Sequence, residues 1–481
     1  MCFSKNSFLK NSLSILAIVA LSCLGFNLNA QAQATGVING KVVSDQGVPL
    51  PGAYIFINEK NLIELSFLNG KQRLENLSDT LINLGATLLN ITDKSVEDAI
   101  PAYLRLGFRP FFFLGSIYAV LAIVLWVYMF QNGQPEILQV PALWWHVHDM
   151  LFGFSMAIVV GFVLTAVQTW TGVNGTKHYR LAALVGLWLA PRILFWTPTP
   201  LWLISSIEAL FLALAAYEIG FRVVHAKGWK NLFFVPLFVL AIVANFASYA
   251  TIKGMPPFPA SAVWHAMLWW FTLLLSVMGG RVIPFFTARR FNFDKPQPLL
   301  WLEWLANLPL VGLFVLSFFP LTFVEVGKPL MLFAGIAQLI RVIRWKPWAT
   351  LSEPLVWSLH AAYLCIPLSL LLRGLLDNPF AGHNMIHLFA IGGLSGLILA
   401  MIARVTMGHT GRAIYKGPNM AVAFAALILA ALLRSVGVSL FPVYMMPIVN
   451  ISAGLWVLAF GMYVLKFGMM LLTPRVDGHP G

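Results

Sequence analysis

Three histidines recur at intervals of about 120 residues along this chain of 481, and imidazole is a good ligand for copper and haem iron. They are His146, His265 and His387, and each stands at the start of an apolar stretch. The first two follow a tryptophan in the same local motif. Ionisable groups at membrane depth are costly and usually functional. The recurrence therefore predicts a site built at one depth.

Neighbouring residues narrow the ligand geometry. His146 and His148 are two positions apart, so on an ideal helix they point about 200° apart and cannot bind one metal together. Asp149 is a candidate hydrogen-bond partner that would fix the tautomer of an imidazole. His383 and His387 are four positions apart and share one helix face, which suits two ligands to one metal. The predicted metal ligands are His383, His387, His265 and His146.

The alternative to metal binding is a hydrogen bond between helices, which is the simpler explanation for a lone histidine such as His360. For the repeated set, metal or haem binding is favoured. Any haem would be non-covalent because the chain has no CxxCH motif. Its three cysteines form no CxxC, which excludes a cysteine zinc or iron–sulfur framework.

Four arginines are candidates for binding an anion or a haem propionate. Arg373 and Arg434 lie near the predicted outer face, where the distribution of positive charge disfavours them. Arg281 and Arg404 lie near the predicted inner face, where snorkelling to lipid phosphates is the alternative. The predicted cofactor-binding residues are His146, His148, His265, His387, Arg373 and Arg434. The predicted supporting or gating residues are Asp149, His360, Arg281, Arg404 and His409.

Composition places these residues in a membrane protein. The mean hydropathy is +0.80 and 10% of residues are charged, against about 25% in soluble domains. The net charge of +13 then indicates orientation in a lipid bilayer, with no nucleic acid as partner. Stretches long enough to span the bilayer predict an all-α fold of about twelve transmembrane helices. They are 111–130, 142–167, 178–196, 200–219, 231–250, 261–284, 298–319, 322–340, 354–375, 382–406, 419–437 and 447–472.

Loop charge predicts the orientation of these helices. One set of loops and helix ends carries 19 Lys and Arg, and the opposite set carries only Lys253 and Lys328. The positive-inside rule puts both ends of the twelve-helix unit in the cytoplasm. The histidine-bearing helices are then the second, sixth and tenth, all running from outside to inside. This predicts three repeats of four helices.

The start of the chain differs in character. Residues 1–34 are typical of a secretory signal, and 35–90 of a short β-like fragment and linker. Residues 36–57 resemble the first strands of a carboxypeptidase-regulatory-like domain. A cleaved signal would place Arg105 outside, against the charge distribution. We therefore expect residues 1–85 to be a foreign or mis-joined segment ahead of the membrane domain, 91–481.

From about residue 91 to residue 474 the chain resembles the NnrS family of bacterial haem- and copper-containing membrane proteins linked to nitric oxide. The motifs that carry the resemblance are LRLGFRPFF (104–112), WHVHDMLFGF (145–154), WHA (264–266), GRVIPFFT (280–287), HLFAIGG (387–393) and MIARVTMGHTGR (401–412). The family commonly has Glu where this chain has Asp149. The resemblance implies twelve helices in the inner membrane, bound haem and copper, and a role in the nitric oxide response or nitrosative stress tolerance.

Three functions remain open from the sequence. The first is a haem/copper protein that senses, binds or processes nitric oxide or iron–nitrosyl species. The second is a transporter of metal, haem or an anion, which helices broken near the midplane would favour; Pro191, Pro284 and Pro367 are hints of such breaks. The third is a membrane component that supports another reductase. ATP-driven transport and hydrolase chemistry lack support, because the chain has no P-loop and no GxSxG motif.

Overall fold

The computed structural model describes residues 97–254 and 258–479, together with three short strands ahead of them. Each of the twelve apolar stretches forms a helix. The helices are α1 (Phe108–Asn132), α2 (Ala142–Thr171), α3 (His178–Leu194), α4 (Leu201–His225), α5 (Phe234–Ile252), α6 (Ala260–Phe291), α7 (Leu300–Leu316), α8 (Pro320–Arg344), α9 (Pro354–Leu375), α10 (Pro379–His409), α11 (Ala421–Leu440) and α12 (Met445–Leu472).

Ten helices in the described ranges are long and apolar enough to cross a membrane, which confirms a multi-pass membrane protein. The other two, α3 and α7, have 17 residues each and fall short of the roughly 20 that a span requires. A count of twelve crossings and an organisation in three repeats therefore stay predictions.

The histidine-bearing helices lie inside the bundle. In the most apolar stretch of α2, α10 and α6, 78%, 72% and 67% of the residues are buried, against 39% in α1 and 33% in the last helix. The first and last helices contact each other along their length. At their inner ends, the Arg109 guanidinium donates to the backbone carbonyls of Met470, Leu471 and Thr473. The outer helices thus shield the polar residues of the inner ones from lipid.

Two of the inner helices contain π-helical segments directly after their histidines. These segments are Asp149–Ser155 in α2 and Leu388–Ser395 in α10, and α11 contains a third, Leu433–Gly437. The Ser155 hydroxyl donates to the carbonyl five residues earlier, and Ser395 does the same. A π segment widens the helix by one residue and is frequent at functional sites. It also rotates the histidines relative to the rest of each helix.

The N-terminal strands form a small antiparallel sheet within a compact unit, Asn29–Asp93, that is separate from the helical unit. The strands are β1 (Tyr54–Ile57), β2 (Ile63–Phe67) and β3 (Gly70–Lys71). Tyr54 pairs with Ser66, and Ser66 with Lys71. The predicted signal segment and most of the predicted β-like fragment lie outside the described residues.

A buried polar network joins four helices, α6 to α9. The Arg341 guanidinium of α8 forms a bidentate ion pair with Glu303 of α7, at 3.0 and 2.9 Å. It also donates to the hydroxyls of Ser276 on α6 and Tyr363 on α9, both at 2.8 Å. Gly280 leaves the space for this guanidinium, because a Cβ there would collide with its Nη2.

Replacing Gly280 with alanine is therefore expected to displace Arg341 and destabilise the protein by about 1–3 kcal/mol. The matched control is Gly186→Ala in α3, where nothing lies within 4 Å of the added Cβ. A helical glycine in open space should gain about 0.5–1 kcal/mol on this change. Thermal unfolding in detergent compares the two variants, and equal transition temperatures would contradict the role of Gly280.

Candidate haem and metal site

The structure brings the predicted metal ligands together from three inner helices. His387 of α10 lies within electrostatic range of His146 of α2 and of His383. The rings of His383 and His265, the latter from α6, are perpendicular with centroids 6.5 Å apart. Residues more than 100 positions apart in sequence thus form one group at the ends of α2, α6 and α10, called the outer cluster below.

The imidazoles of the outer cluster keep free ring nitrogens. The His146 ring stacks on Trp126 at 4.2 Å, and its Nδ1 is buried without a hydrogen-bond partner. One nitrogen of His387 faces the backbone of Asn384, which leaves the other available. One nitrogen of His265 hydrogen-bonds to the backbone of Ser261, which leaves the other available. As whole residues, His146, His265 and His387 are half-buried and His383 is exposed.

Arg434 and Arg373 add positive charge to the outer cluster. Arg434 lies within electrostatic range of His146 and His387 and donates to Asn384 Oδ1 at 3.1 Å. Arg373 lies over the Trp269 ring, 4.8 Å from its centroid. Neither guanidinium forms an ion pair with any carboxylate of the described chain. Guanidinium groups that have no carboxylate partner are suited to binding an anionic group.

The start of α10 is held in place at its outer end. The Asn378 side chain caps the helix by accepting from the backbone N–H groups of Phe380 and Ala381. In the loop before it, Asp377 accepts a hydrogen bond from Lys328 at 2.7 Å. This bond and the lysine charge lower the pKa of the Asp377 carboxyl. The cap and the ion pair fix the turn that presents His383 and His387.

His148 lies on the opposite face of α2, in a second polar group. Its Nε2 is 2.9 Å from Glu208 Oε2 of α4, and its ring stacks between Trp144 and Phe152 at 4.3 and 4.7 Å. The ring has no accessible surface. As the helical spacing predicts, His146 and His148 do not face a common ligand.

Around His148 a buried ionic group links five helices, α1 to α5. Arg192 of α3 pairs with Asp149 at 2.9 Å and also with Glu208. Tyr118 donates to Asp149, and Tyr249 donates to Glu208, each at 2.8 Å. We call these residues the His148 group: Tyr118, His148, Asp149, Arg192, Glu208 and Tyr249. Glu208 was not among the residues predicted from the sequence, although a carboxylate inside an apolar helix usually indicates a functional or pairing role.

A comparison with protein-family models identifies the family of the helical part of the chain. The model of the family described as NnrS protein matches residues 102–475, a range that includes all twelve helices. The chain belongs to the NnrS family. None of the curated proteins matches it significantly.

The remaining predicted residues of this NnrS chain lie at the helix ends opposite to the outer cluster. Arg404 does not reach lipid: it is 4% exposed, donates to the Tyr415 hydroxyl at 2.8 Å and lies over the Phe286 ring at 3.6 Å. Arg281 lies over the Phe233 ring at 5.7 Å. His360 Nε2 is 2.8 Å from the Thr287 hydroxyl, the bond between helices expected of a lone histidine.

His409 also lies at this end of the bundle. Its ring centroid is 5.5 Å from that of Phe108, and its backbone carbonyl accepts from Arg475. The structure therefore separates Arg404, His360 and His409 from the outer cluster, and any part they play is not direct contact with a ligand there. Their gating roles stay predictions.

The donor set of the outer cluster fits a haem and fits a copper ion less completely. Unpartnered imidazole nitrogens and uncompensated arginines are what haem iron and propionates require. The centroids of the His265 and His383 rings are 6.5 Å apart. With copper–nitrogen bonds of about 2.0 Å, this is about twice the distance from the centre of an imidazole ring to a metal bound to it. Across the described residues, no three His, Cys, Asp or Glu side chains form a preassembled metal site.

Proposed function

We propose that this NnrS protein binds haem and copper at the outer cluster and acts there on nitric oxide. The observation that carries the proposal is the convergence of His146, His265, His383 and His387 from three inner helices beside two unpaired arginines. A structural role would leave such groups hydrogen-bonded to each other, because a buried polar atom without a partner costs about 1–3 kcal/mol.

In this proposal each residue has a separate task. His387 and His146 hold haem iron, and Arg434 and Arg373 hold the propionates. His383 and His265 bind copper. When bound, haem iron and copper would supply electron transfer and metal centres to which a small ligand such as nitric oxide can bind. The protein places the imidazoles, neutralises the propionates and excludes lipid.

The His148 group has a positioning task. It ties α2 to α3 and α4 directly behind His146, so the outer cluster rests against a rigid support. Since the Nε2 of His148 is occupied by Glu208, this histidine would not coordinate haem without breaking that pair. The sequence-based assignment of His148 to cofactor binding is the least supported of the six.

The transporter alternative has less support. Unwound helices near the midplane would favour it. Pro191, Pro284 and Pro367 instead lie inside helices that continue past them. The irregular backbone occurs in π segments, which keep the chain helical.

The proposal is tested on the full-length protein purified from membranes. Its visible spectrum is recorded with and without nitric oxide, and its iron and copper are measured. We expect a Soret band that shifts on addition of nitric oxide, and copper close to stoichiometric with the protein. A folded protein that is colourless and metal-free would contradict the proposed function.

A further inference from the structure

A second feature of the inner helices is an apolar cavity at the middle of the bundle. It is lined mainly by 158–163 of α2, 274–283 of α6 and 397–402 of α10. Every lining residue is aliphatic, aromatic, methionine or glycine. The three helices that carry the outer cluster therefore also line this cavity, which is partly open and has no role in the metal site described above.

The chemistry of the lining excludes water and ions. A buried water needs two to four polar partners, and the cavity offers no polar side chain. Cavities lined only by apolar residues stay dry and bind xenon or benzene. An anion or a metal ion would lose its hydration without any compensating contact.

The size of the cavity restricts the ligand further. Its volume is about 90 Å³. A water molecule occupies roughly 30 Å³ of liquid, and a cavity that holds benzene has about 150 Å³. The space suits one or a few molecules of diatomic size and is too small for a porphyrin.

The position of the cavity relates it to the outer cluster. Leu274 lies nine residues after His265 on α6, which at 1.5 Å per residue is about 14 Å along the helix. Leu397 lies ten residues after His387 on α10. The cavity is thus deeper in the membrane than the histidines and shares their helices.

We propose that this cavity reversibly binds small uncharged apolar molecules and holds a local supply of them beside the outer cluster. That the physiological occupant is nitric oxide rests on the proposed function, since nitric oxide is uncharged and diatomic. The binding property itself rests only on the lining, the volume and the position of the cavity.

The test uses xenon as the probe, with the full-length protein in lipid nanodiscs and saturation-transfer ¹²⁹Xe NMR. We expect a protein-bound xenon signal that is absent from empty nanodiscs. In Leu397→Trp the indole fills the cavity, and the signal should fall about fivefold or more. Leu429→Trp is the matched control, because Leu429 is 48% exposed on the lipid-facing side of α11. Leu274→Phe is a milder filling variant should the first fail to fold.

The proposal is overturned if wild type gives no bound signal, if the filling variants leave the signal unchanged, or if a lipid chain is found to occupy the cavity. Xenon binding needs no metal, so protein lacking haem and copper would still give the signal and would contradict only the proposed function. With haem bound, Leu397→Trp should also slow the association of nitric oxide while leaving haem content unchanged. An unaltered rate would overturn the supply role.

Discussion

Replacing His387 with alanine is expected to lower the haem content of the purified protein by about tenfold or more, because one of the imidazoles that would hold the haem iron is lost. His387 lies at the centre of the outer cluster, within electrostatic range of His146, His383 and Arg434. His146→Ala should have an effect of the same direction. The measurement is the Soret absorbance per protein, together with iron content.

The control for this series is His225→Ala, since His225 is exposed at the end of α4 and remote in sequence from the cluster. It should retain the wild-type spectrum. Thermal unfolding of each apoprotein separates loss of the cofactor from loss of the fold. Full haem content in both His387→Ala and His146→Ala would exclude these residues as ligands.

Replacing Arg192 with alanine is expected to cause the largest loss of stability, about 3–5 kcal/mol, because it leaves two buried carboxylates without their cation. Asp149 and Glu208 are both shielded from solvent, and each pairs with Arg192. Combining Arg192→Leu with Glu208→Gln removes one of the uncompensated charges and should restore part of the loss. Thermal unfolding in detergent measures each variant.

Arg180 provides the control on the same helix. It pairs with Glu218 at 3.7 Å, and its side chain is 58% exposed, so Arg180→Ala should lower the unfolding temperature much less than Arg192→Ala does. Should Arg192→Ala unfold no earlier than Arg180→Ala, the His148 group would not be the support of α2 that its geometry indicates. A folded Arg192 variant with an altered visible spectrum would support the positioning role, whereas an unchanged spectrum would indicate a purely structural one.

Local sequence patterns predicted the apolar helices and the face on which each histidine lies. The spacing of His146 and His148 places them on opposite sides of α2, and they do contact different helices. Helical periodicity is a local property, because 3.6 residues per turn fixes direction without reference to the rest of the fold. The length of an apolar stretch predicted a membrane span less reliably. Helices α3 and α7 form from predicted spans but have only 17 residues each.

Positive charge in the loops predicted an orientation, yet several of the arginines counted there have structural tasks. Arg341 is 1% exposed and binds Glu303, and Arg109 has no exposed surface and binds the end of α12. A count of charges cannot separate these from lipid-facing arginines. Burial depends on which helices become neighbours.

The amino-acid sequence was enough to predict a bundle of apolar helices with histidines at matching positions in three of them. The contact between His265 and His383, the pairing of His148 with Glu208 and the apolar cavity below the cluster became visible in the folded protein alone. They could not be predicted because each of them joins different helices. Their distances depend on side-chain packing and on the local rotation introduced by π segments, neither of which periodicity encodes.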